Sequence, residues 1–146
     1  MRIALTHNLR RQACEATAEF DTRHTIAAIA TIVRGLGHVV TPLDVTGSIP
    51  RVIAALHRIR PDLVLNLAEG ERGAFREAFY PALFEQLGYP HTGSSASTLA
   101  LCLDKALAKR VVAAARVRVP RGQLVRDVRE LLAIETPVIV KPNFEG

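Results

Sequence analysis

The chain has 146 residues, of which 49% are hydrophobic and 23% charged, a composition typical of one globular domain or of one domain with part of another. The uncharged stretch from Ala96 to Leu103 is far shorter than the roughly 20 apolar residues of a membrane span. The N-terminus lacks the apolar segment of a signal peptide, and the two distant cysteines, Cys14 and Cys102, favour neither a disulfide framework nor a zinc site. These features predict a soluble, cytoplasmic protein without a membrane partner.

A net charge of +5 suggests phosphate-bearing partners, because a positive surface attracts phosphate groups. Sixteen of the nineteen basic residues are arginines. The arginines are spread from Arg2 to Arg129 among acidic residues, and few aromatic side chains stand between them. A surface that stacks nucleic-acid bases needs both a basic patch and aromatic rings. The pattern therefore favours a solvated arginine-rich surface and no nucleic-acid partner.

Short apolar runs alternate with longer stretches of helical periodicity, as in proteins built on a parallel α/β sheet. Strands are predicted at 3–5, from Val39 to a stop at Pro42, at 63–67 and at 89–92. Helices are predicted from a cap at Asp21 or Thr22 to Gly37, from Ser48 to Pro61, and over 75–87, the last either kinked at Pro81 or starting near Tyr80. The strand at 63–67 is apolar apart from Asn66, which indicates a central position covered on both faces.

The C-terminal part of the sequence predicts further elements. These are helices at 98–103 and 105–115, the second capped by Asp104, a strand at 123–125, a helix at 128–134 and a strand at 138–140. The last strand has too few neighbours to complete a second sheet, so its edge groups would lack partners. The chain is therefore expected to stop inside a second domain.

Three segments in this order resemble the D-alanine–D-alanine ligase family of ATP-grasp enzymes. They are the run from Asp62 to Gly70, the run 87–94 leading to Asp104 and Lys105, and the run 137–142 followed by Glu145 and Gly146. The resemblance implies an α/β fold, with a three-layer, parallel-sheet (Rossmann-like) pre-ATP-grasp domain over 1–103. It also implies that 104–146 is the beginning of the first ATP-grasp lobe, truncated before the phosphate-covering loop.

The resemblance also implies an activity in peptidoglycan biosynthesis. The family phosphorylates the carboxylate of one small amino acid, such as D-alanine, with ATP and Mg²⁺, and the amine of a second attacks the acyl phosphate. These 146 residues are expected to be inactive alone, with the missing C-terminal ATP-grasp lobe as a partner and a homodimer compatible with the family. The alternative is a stand-alone, non-catalytic α/β module that binds a small molecule or a protein.

Two lysines are implied as nucleotide ligands. Lys105 and Lys141 match the family's ATP-contacting lysines, and a polyphosphate is held best by cations from more than one element. The alternatives are a first-turn surface lysine at 105 and a lysine at 141 that extends along an edge strand into solvent.

Two glutamates are candidates for binding the substrate. Glu19 is the nearest match to the family glutamate that holds the substrate ammonium, although the family's glycine pair after the first strand is absent. Glu69 replaces a histidine of typical members, at the strand edge where ligands of open α/β sheets bind. The alternatives are a solvated or helix-start acid at 19 and an ion pair of Glu69 with Arg72 or Arg76.

The remaining polar groups indicate structural roles. The five histidines have no metal-ligand spacing, so no metal site is predicted on the chain. Ser94 and Ser95 are interpreted as caps of the following helix rather than as an anion site. Cys102 falls among apolar helical positions and is predicted to be buried, whereas Cys14 is predicted to be exposed.

Overall fold

The computed structural model describes residues 1–12, 17–127, 129–130 and 137–144. Strands β1 (Arg2–His7), β2 (Val39–Asp44) and β3 (Leu63–Asn66) form one parallel sheet in the order β2-β1-β3. The helices of the described residues are α1 (Arg23–Gly35), α2 (Ile49–Ile59), α3 (Arg76–Gln86), α4 (Ala96–Leu103) and α5 (Lys105–Ala114). This arrangement confirms the predicted α/β fold with a parallel sheet.

The sheet lies between two layers of helices because successive side chains of a strand point to opposite faces. On one face Ile3 and Leu5 pack against Ile26 and Ala30 of α1. On the other face the core residues come from the sheet, α2 and α3; they include Ala4, Val64, Val52, Leu56, Tyr80 and Phe84. Each face therefore has its own apolar core, which is the predicted three-layer arrangement.

Several helix ends follow the predicted signals. The Thr22 side chain accepts a hydrogen bond from the Thr25 backbone N–H at 3.1 Å, and Gly37 follows α1 with a φ of 85°. Ser48 stands at the N-cap of α2 without a side-chain cap bond, and α2 ends before Pro61 with Arg60 in the left-handed region. The residue before a proline is disfavoured in the right-handed helical region, which explains where α2 stops.

Two prolines lie inside elements that the sequence predicted would stop or start at them. β2 continues through Pro42 to Asp44, and Pro42 pairs with Leu5 of β1. Within the described residues β2 is an edge strand, where a residue without an N–H is tolerated. α3 begins at Arg76 and includes Pro81, so a helix start near Tyr80 was wrong.

β3 has backbone partners on both sides, although β1 rather than β3 is the middle strand of the described sheet. The Val64 N–H donates to the Pro90 carbonyl at 2.8 Å, and the Thr92 N–H donates to the Val64 carbonyl at 2.9 Å. The predicted strand at 89–92 is therefore reduced to a single bridge between Val64 and His91.

The predicted strands at 123–125 and 138–140 were wrong. The structure assigns both ranges no strand, and Ile139 and Val140 are 83% and 86% exposed. An apolar run becomes a strand only when another strand offers it hydrogen-bonding partners, and the described residues offer none there. The predicted helix at 128–134 lies largely outside the described residues, as do Glu145 and Gly146. None of the helices in the described ranges has the length and apolar character of a membrane span.

Candidate functional site

The carboxyl ends of β1 and β3 form one side of an open cavity. α1 connects β1 to β2 over one face of the sheet, and α2 connects β2 to β3 over the other face. The chain therefore leaves β1 toward one side of the sheet and enters β3 on the other side, which makes the boundary between β1 and β3 a switch point of the topology. Ligands of open α/β sheets bind at such a switch point. The cavity has a volume of about 370 Å³, and its lining includes Asn8, Glu19, Asn66, Glu69, Thr92 and Ser94.

Asn8 fixes the backbone of Glu69. The side chain of Asn8 is buried directly after β1, and its Nδ2 donates to the Glu69 carbonyl at 2.9 Å. Its Oδ1 accepts from the Glu69 N–H at 2.8 Å. The amide thus pairs with both backbone groups of Glu69, as a neighbouring strand would, and extends the link between β1 and β3 by side-chain hydrogen bonds.

The loop that carries Glu19 is tied to the end of β1. The Asp21 N–H donates to the Asn8 carbonyl at 3.0 Å, and the Arg10 N–H donates to the Asp21 carbonyl at 2.8 Å. These two bonds return the chain to the sheet edge before α1 begins. Glu19 is therefore placed beside Glu69 although fifty positions of sequence separate them.

Arg76 brings the two glutamates together. Its Nε donates to Glu69 Oε2 at 3.1 Å, and its Nη2 donates to Glu19 Oε2 at 2.8 Å. The side chains of Arg76, Glu69 and Glu19 are 10%, 18% and 44% exposed. Arg76, rather than Arg72, is thus the partner of Glu69, and Glu19 is part of the same cluster.

The pKa of Glu69 is raised above its ordinary value of 4.5. Burial of the carboxyl is the largest cause, because it disfavours the charged form. The hydrogen bond and positive charge of Arg76 act in the opposite direction, and the neighbouring Glu19 raises the pKa again through its like charge and its hydrogen bond with Glu69. Two carboxyl groups that share one guanidinium carry net negative charge when both are ionised, and this charge favours a bound cation.

The segments that carry Lys105 and Lys141 are joined by Asn143. The Lys105 N–H donates to the Asn143 carbonyl at 3.2 Å, and the Ala106 N–H donates to Asn143 Oδ1 at 3.0 Å. Asn143 Nδ2 donates to Asp104 Oδ1 at 2.9 Å, and this carboxylate also accepts from the Leu107 N–H at 2.9 Å, as the predicted N-cap. Hydrogen bonds to Leu107 and Asn143 lower the pKa of Asp104. Lys141, two residues before Asn143, therefore lies in a segment docked on the first turn of α5.

Relatives of known name match this chain over most of its length. The D-alanine–D-alanine ligase of Caulobacter vibrioides is 38% identical over 122 residues, which are 82% of this chain and 36% of that protein. The enzyme of the same name from Cereibacter sphaeroides is 37% identical over 134 residues, 90% of this chain and 41% of that protein. The chain is a homologue of the N-terminal portion of D-alanine–D-alanine ligases. The predicted resemblance to this family is confirmed.

A solved structure agrees with the fold. The crystal structure of a D-alanine–D-alanine ligase from Bacillus anthracis superposes with a TM-score of 0.59 at 17% identity, covering 83% of this chain and 37% of that one. No family model matches the chain. The chain spans 36% to 41% of the length of the curated ligases that it matches.

The structure places the predicted site residues of this ligase homologue in two groups. Glu19 and Glu69 line the cavity, and Lys105 and Lys141 lie on the two segments that Asn143 joins. Lys141 is exposed and follows no strand, so its predicted position at the end of the strand 138–140 was wrong. Lys105 is the first residue of α5, as predicted.

Two smaller predictions had different outcomes. Ser95 accepts a hydrogen bond from the Thr98 N–H at 3.4 Å and caps α4, which confirms the capping role, whereas Ser94 lines the cavity. Cys102 is exposed, so its predicted burial was wrong: α4 lies against α3 and α5, and the buried residue of α4 is Leu103. Cys14 lies outside the described residues.

Sequence reasoning missed the roles of Asn8 and Arg76. Asn8 follows directly after the predicted first strand, which was a signal that its side chain stands at the carboxyl edge of the sheet. Arg76 was considered only as a partner of Glu69. Its bond to Glu19 had no signal in the sequence, because the two residues meet only when the loop after β1 is folded back.

Proposed function

We propose that this chain forms the amino-acid pocket, and supplies two nucleotide-binding lysines, of an ATP-dependent carboxylate–amine ligase of the D-alanine–D-alanine type. The observation that carries the proposal is the pair of carboxylates, Glu19 and Glu69, held by Arg76 over a cavity at the switch point of a ligase homologue. The cavity volume of about 370 Å³ lies within the usual range of small-molecule sites, roughly 300–1,000 Å³.

The ammonium group of the first amino acid is expected to bind Glu19 and Glu69. With both carboxyl groups ionised, the cluster including Arg76 carries one net negative charge, which an ammonium neutralises. Its location among partly buried groups strengthens the attraction relative to bulk water. The backbone of Glu69 is fixed by Asn8, so its carboxylate is oriented before the ligand arrives.

Lys105 and Lys141 would hold the phosphates of ATP. Their segments are already docked on each other through Asn143, so two cations come from different elements, as a clamped polyphosphate requires. ATP supplies a phosphoryl group to a carboxylate oxygen of the first amino acid, and ADP leaves. The amine of the second amino acid then attacks the acyl carbon, the C–O bond to phosphate breaks, and the nitrogen loses a proton.

The described residues contain no group of three or more histidine, cysteine, aspartate or glutamate residues that could hold a metal ion. We therefore assign no step of this chain to Mg²⁺. The chain corresponds to 36% to 41% of the length of its relatives, and we propose that the metal ligands and the phosphate-covering loop belong to the C-terminal ATP-grasp lobe of the enzyme. A second copy of the chain is a further proposed partner.

The amino-acid pocket is tested by calorimetric titration of the 146-residue chain with D-alanine at neutral pH. We expect saturable binding of one D-alanine per chain. Propionate is the matched control, because it keeps the carboxylate and the methyl group but lacks the ammonium that the two glutamates recognise. Propionate binding as tightly as D-alanine, or an absence of D-alanine binding, would contradict the proposed pocket.

ATP turnover tests whether the 146-residue chain needs the proposed C-terminal lobe for the reaction. Because the proposed metal ligands lie elsewhere in the enzyme, we expect the 146-residue chain to release no phosphate above background from ATP and Mg²⁺, with or without D-alanine. Phosphate release is measured colorimetrically, with a full-length relative as the positive control. Clear stimulation of phosphate release by D-alanine would show that these residues complete the reaction, contrary to the proposal.

A further inference from the structure

Arg76 connects three segments that are far apart in the sequence. Besides its bonds to Glu69 and Glu19, its Nη1 donates to the backbone carbonyl of Phe144 at 2.8 Å. The three acceptors come from the turn after β3, the loop after β1 and the segment that follows Lys141. One guanidinium thus contacts both the amino-acid pocket and the segment proposed to bind the nucleotide.

The position of Arg76 is itself fixed by the fold. It is the first residue of α3, and its carbonyl accepts from the Gly70 N–H at 2.7 Å. A side chain at Gly70 would bring a Cβ within 3.2 Å of that carbonyl oxygen, so the turn after Glu69 lies directly against the start of α3. The guanidinium therefore extends from a rigid base, and its orientation depends on its acceptors.

The segment 141–144 is held at two points. Asn143 bonds to residues 104–106 at the start of α5, and Phe144 bonds to Arg76. Arg76 thus links this segment directly to both Glu19 and Glu69. A change in the charge or placement of those carboxylates thus alters the position of the group that holds Phe144.

We propose that Arg76 is a positioning residue that couples the amino-acid pocket to the Lys141 segment, holding Glu19 and Glu69 with two of its nitrogens and the Phe144 carbonyl with the third. The coupling rests on the proposed function, since it takes the pocket as the amino-acid subsite. A bound ammonium fixes the positions of the two carboxylates, so the guanidinium that they orient is held in place and keeps its bond to the Phe144 carbonyl. Binding of the amino acid thereby tightens the segment that carries Lys141.

The role requires arginine rather than lysine. A guanidinium presents its N–H donors in a planar fork, so it reaches acceptors in three directions at once. An ammonium at the end of a flexible chain is a point charge and does not hold the same three acceptors in fixed directions. The variant Arg76→Lys keeps the charge of the cluster and removes the fork, which separates positioning from simple charge balance.

The test is amide hydrogen exchange measured by NMR. The N–H groups of Lys105 and Ala106 report on the segment, because both donate to Asn143. In Arg76→Lys and Arg76→Gln we expect their exchange to be about tenfold faster, as follows from losing one hydrogen bond from a charged donor. Core amides of β1 should keep wild-type rates. Arg72→Gln is the matched control, an exposed arginine near α3 that should change neither set of amides.

A second variant tests whether Glu19 and Glu69 influence the Lys141 segment through Arg76. The double variant Glu19→Ala/Glu69→Ala leaves Arg76 in place, yet we expect faster exchange at Lys105 and Ala106, because Arg76 loses the two acceptors that orient it. The exposed Glu71→Ala is its control. Unchanged exchange at both reporter amides in the Arg76 variants or in the double variant would overturn the proposal. A rise that includes the β1 amides in every variant would overturn it too, because Arg76 would then stabilise the whole fold.

Addition of D-alanine completes the test. We expect it to slow exchange at Lys105 and Ala106 in the wild-type chain and to have no effect on them in Arg76→Gln. Slowing in both chains would overturn the coupling through Arg76. If D-alanine does not bind the wild-type chain, the proposed function fails, whereas the comparison of ligand-free variants still decides whether Arg76 positions the segment.

Discussion

Phe84→Ala is expected to lower the free energy of unfolding by about 3–5 kcal/mol, the range found when a large buried aromatic side chain is truncated. Phe84 is 0% exposed in the core between the sheet and α3. Its ring stacks on Tyr80 with centroids 6.1 Å apart, and it contacts the His91 ring at 6.0 Å. Removing it leaves a cavity that these fixed neighbours cannot fill.

The effect is measured by urea unfolding followed by circular dichroism. Phe75→Ala is the matched control, because Phe75 is 68% exposed just before α3 and its truncation should change stability by less than about 0.5 kcal/mol. Similar losses in the two variants would contradict the assignment of Phe84 to the core. Since His91 forms the bridge to β3, the Phe84 variant should also bind D-alanine more weakly.

Glu69→Gln is expected to weaken D-alanine binding by roughly 10- to 100-fold, the equivalent of losing a hydrogen bond between charged groups. The substitution keeps the shape of the side chain and removes the negative charge that attracts the ammonium. Calorimetric titration of the two chains measures the ratio of dissociation constants. The exposed Glu71→Gln serves as the control and should bind like the wild type. Equal affinity of Glu69→Gln and wild type would remove Glu69 from the binding site.

The raised pKa of Glu69 gives D-alanine binding a pH dependence. As pH falls through this raised value, Glu69 takes up a proton, so affinity should fall at a higher pH than for a carboxyl of ordinary pKa 4.5. Burial is the main cause, opposed by Arg76 and reinforced by Glu19. Titration of D-alanine across this range measures the midpoint, and Glu69→Gln should lose the part of the pH dependence that comes from Glu69.

The same shift affects stability with a definite sign. The folded chain binds the Glu69 proton more tightly than the unfolded chain does, so stability from this group is full below pH 4.5. It is lost as the pH rises through the raised folded-state pKa. The unfolding free energy of Glu69→Gln should lack this contribution, which urea unfolding at several pH values measures.

The resemblance to the ligase family was identifiable from the sequence because three motifs occur in a fixed order, and each is a local feature of the chain. The parallel sheet could be predicted for a similar reason. The apolar run 3–5 is buried throughout and Val64 of the run 63–67 is fully buried, an environment that apolar side chains in a strand predict. The helix caps at Thr22 and Asp104 are also local, since a side chain bonds an N–H three residues away.

The strands predicted near the C-terminal end failed because a strand depends on its neighbours. The run 138–140 is apolar enough for a strand, but hydrogen bonds from another strand are needed to form one, and the described residues do not supply them there. The exposure of Cys102 has the same origin. The periodicity of α4 indicates an apolar helix, whereas its packing against α3 decides which of its positions are covered.

The sequence by itself determined the α/β class, and its resemblance to the ligase family made Glu19, Glu69, Lys105 and Lys141 candidates, because strand periodicity, capping signals and motif order are properties of consecutive residues. Only the tertiary structure decided that Arg76 joins Glu19, Glu69 and Phe144, and that Asn8 holds the backbone of Glu69. Apart from the bond between Arg76 and Glu69, which are seven positions apart, these contacts span 57 to 68 positions of sequence. The contacts of Asn8 and Glu19 form where the parallel sheet brings the ends of β1 and β3 together, and no local pattern of residues encodes that meeting.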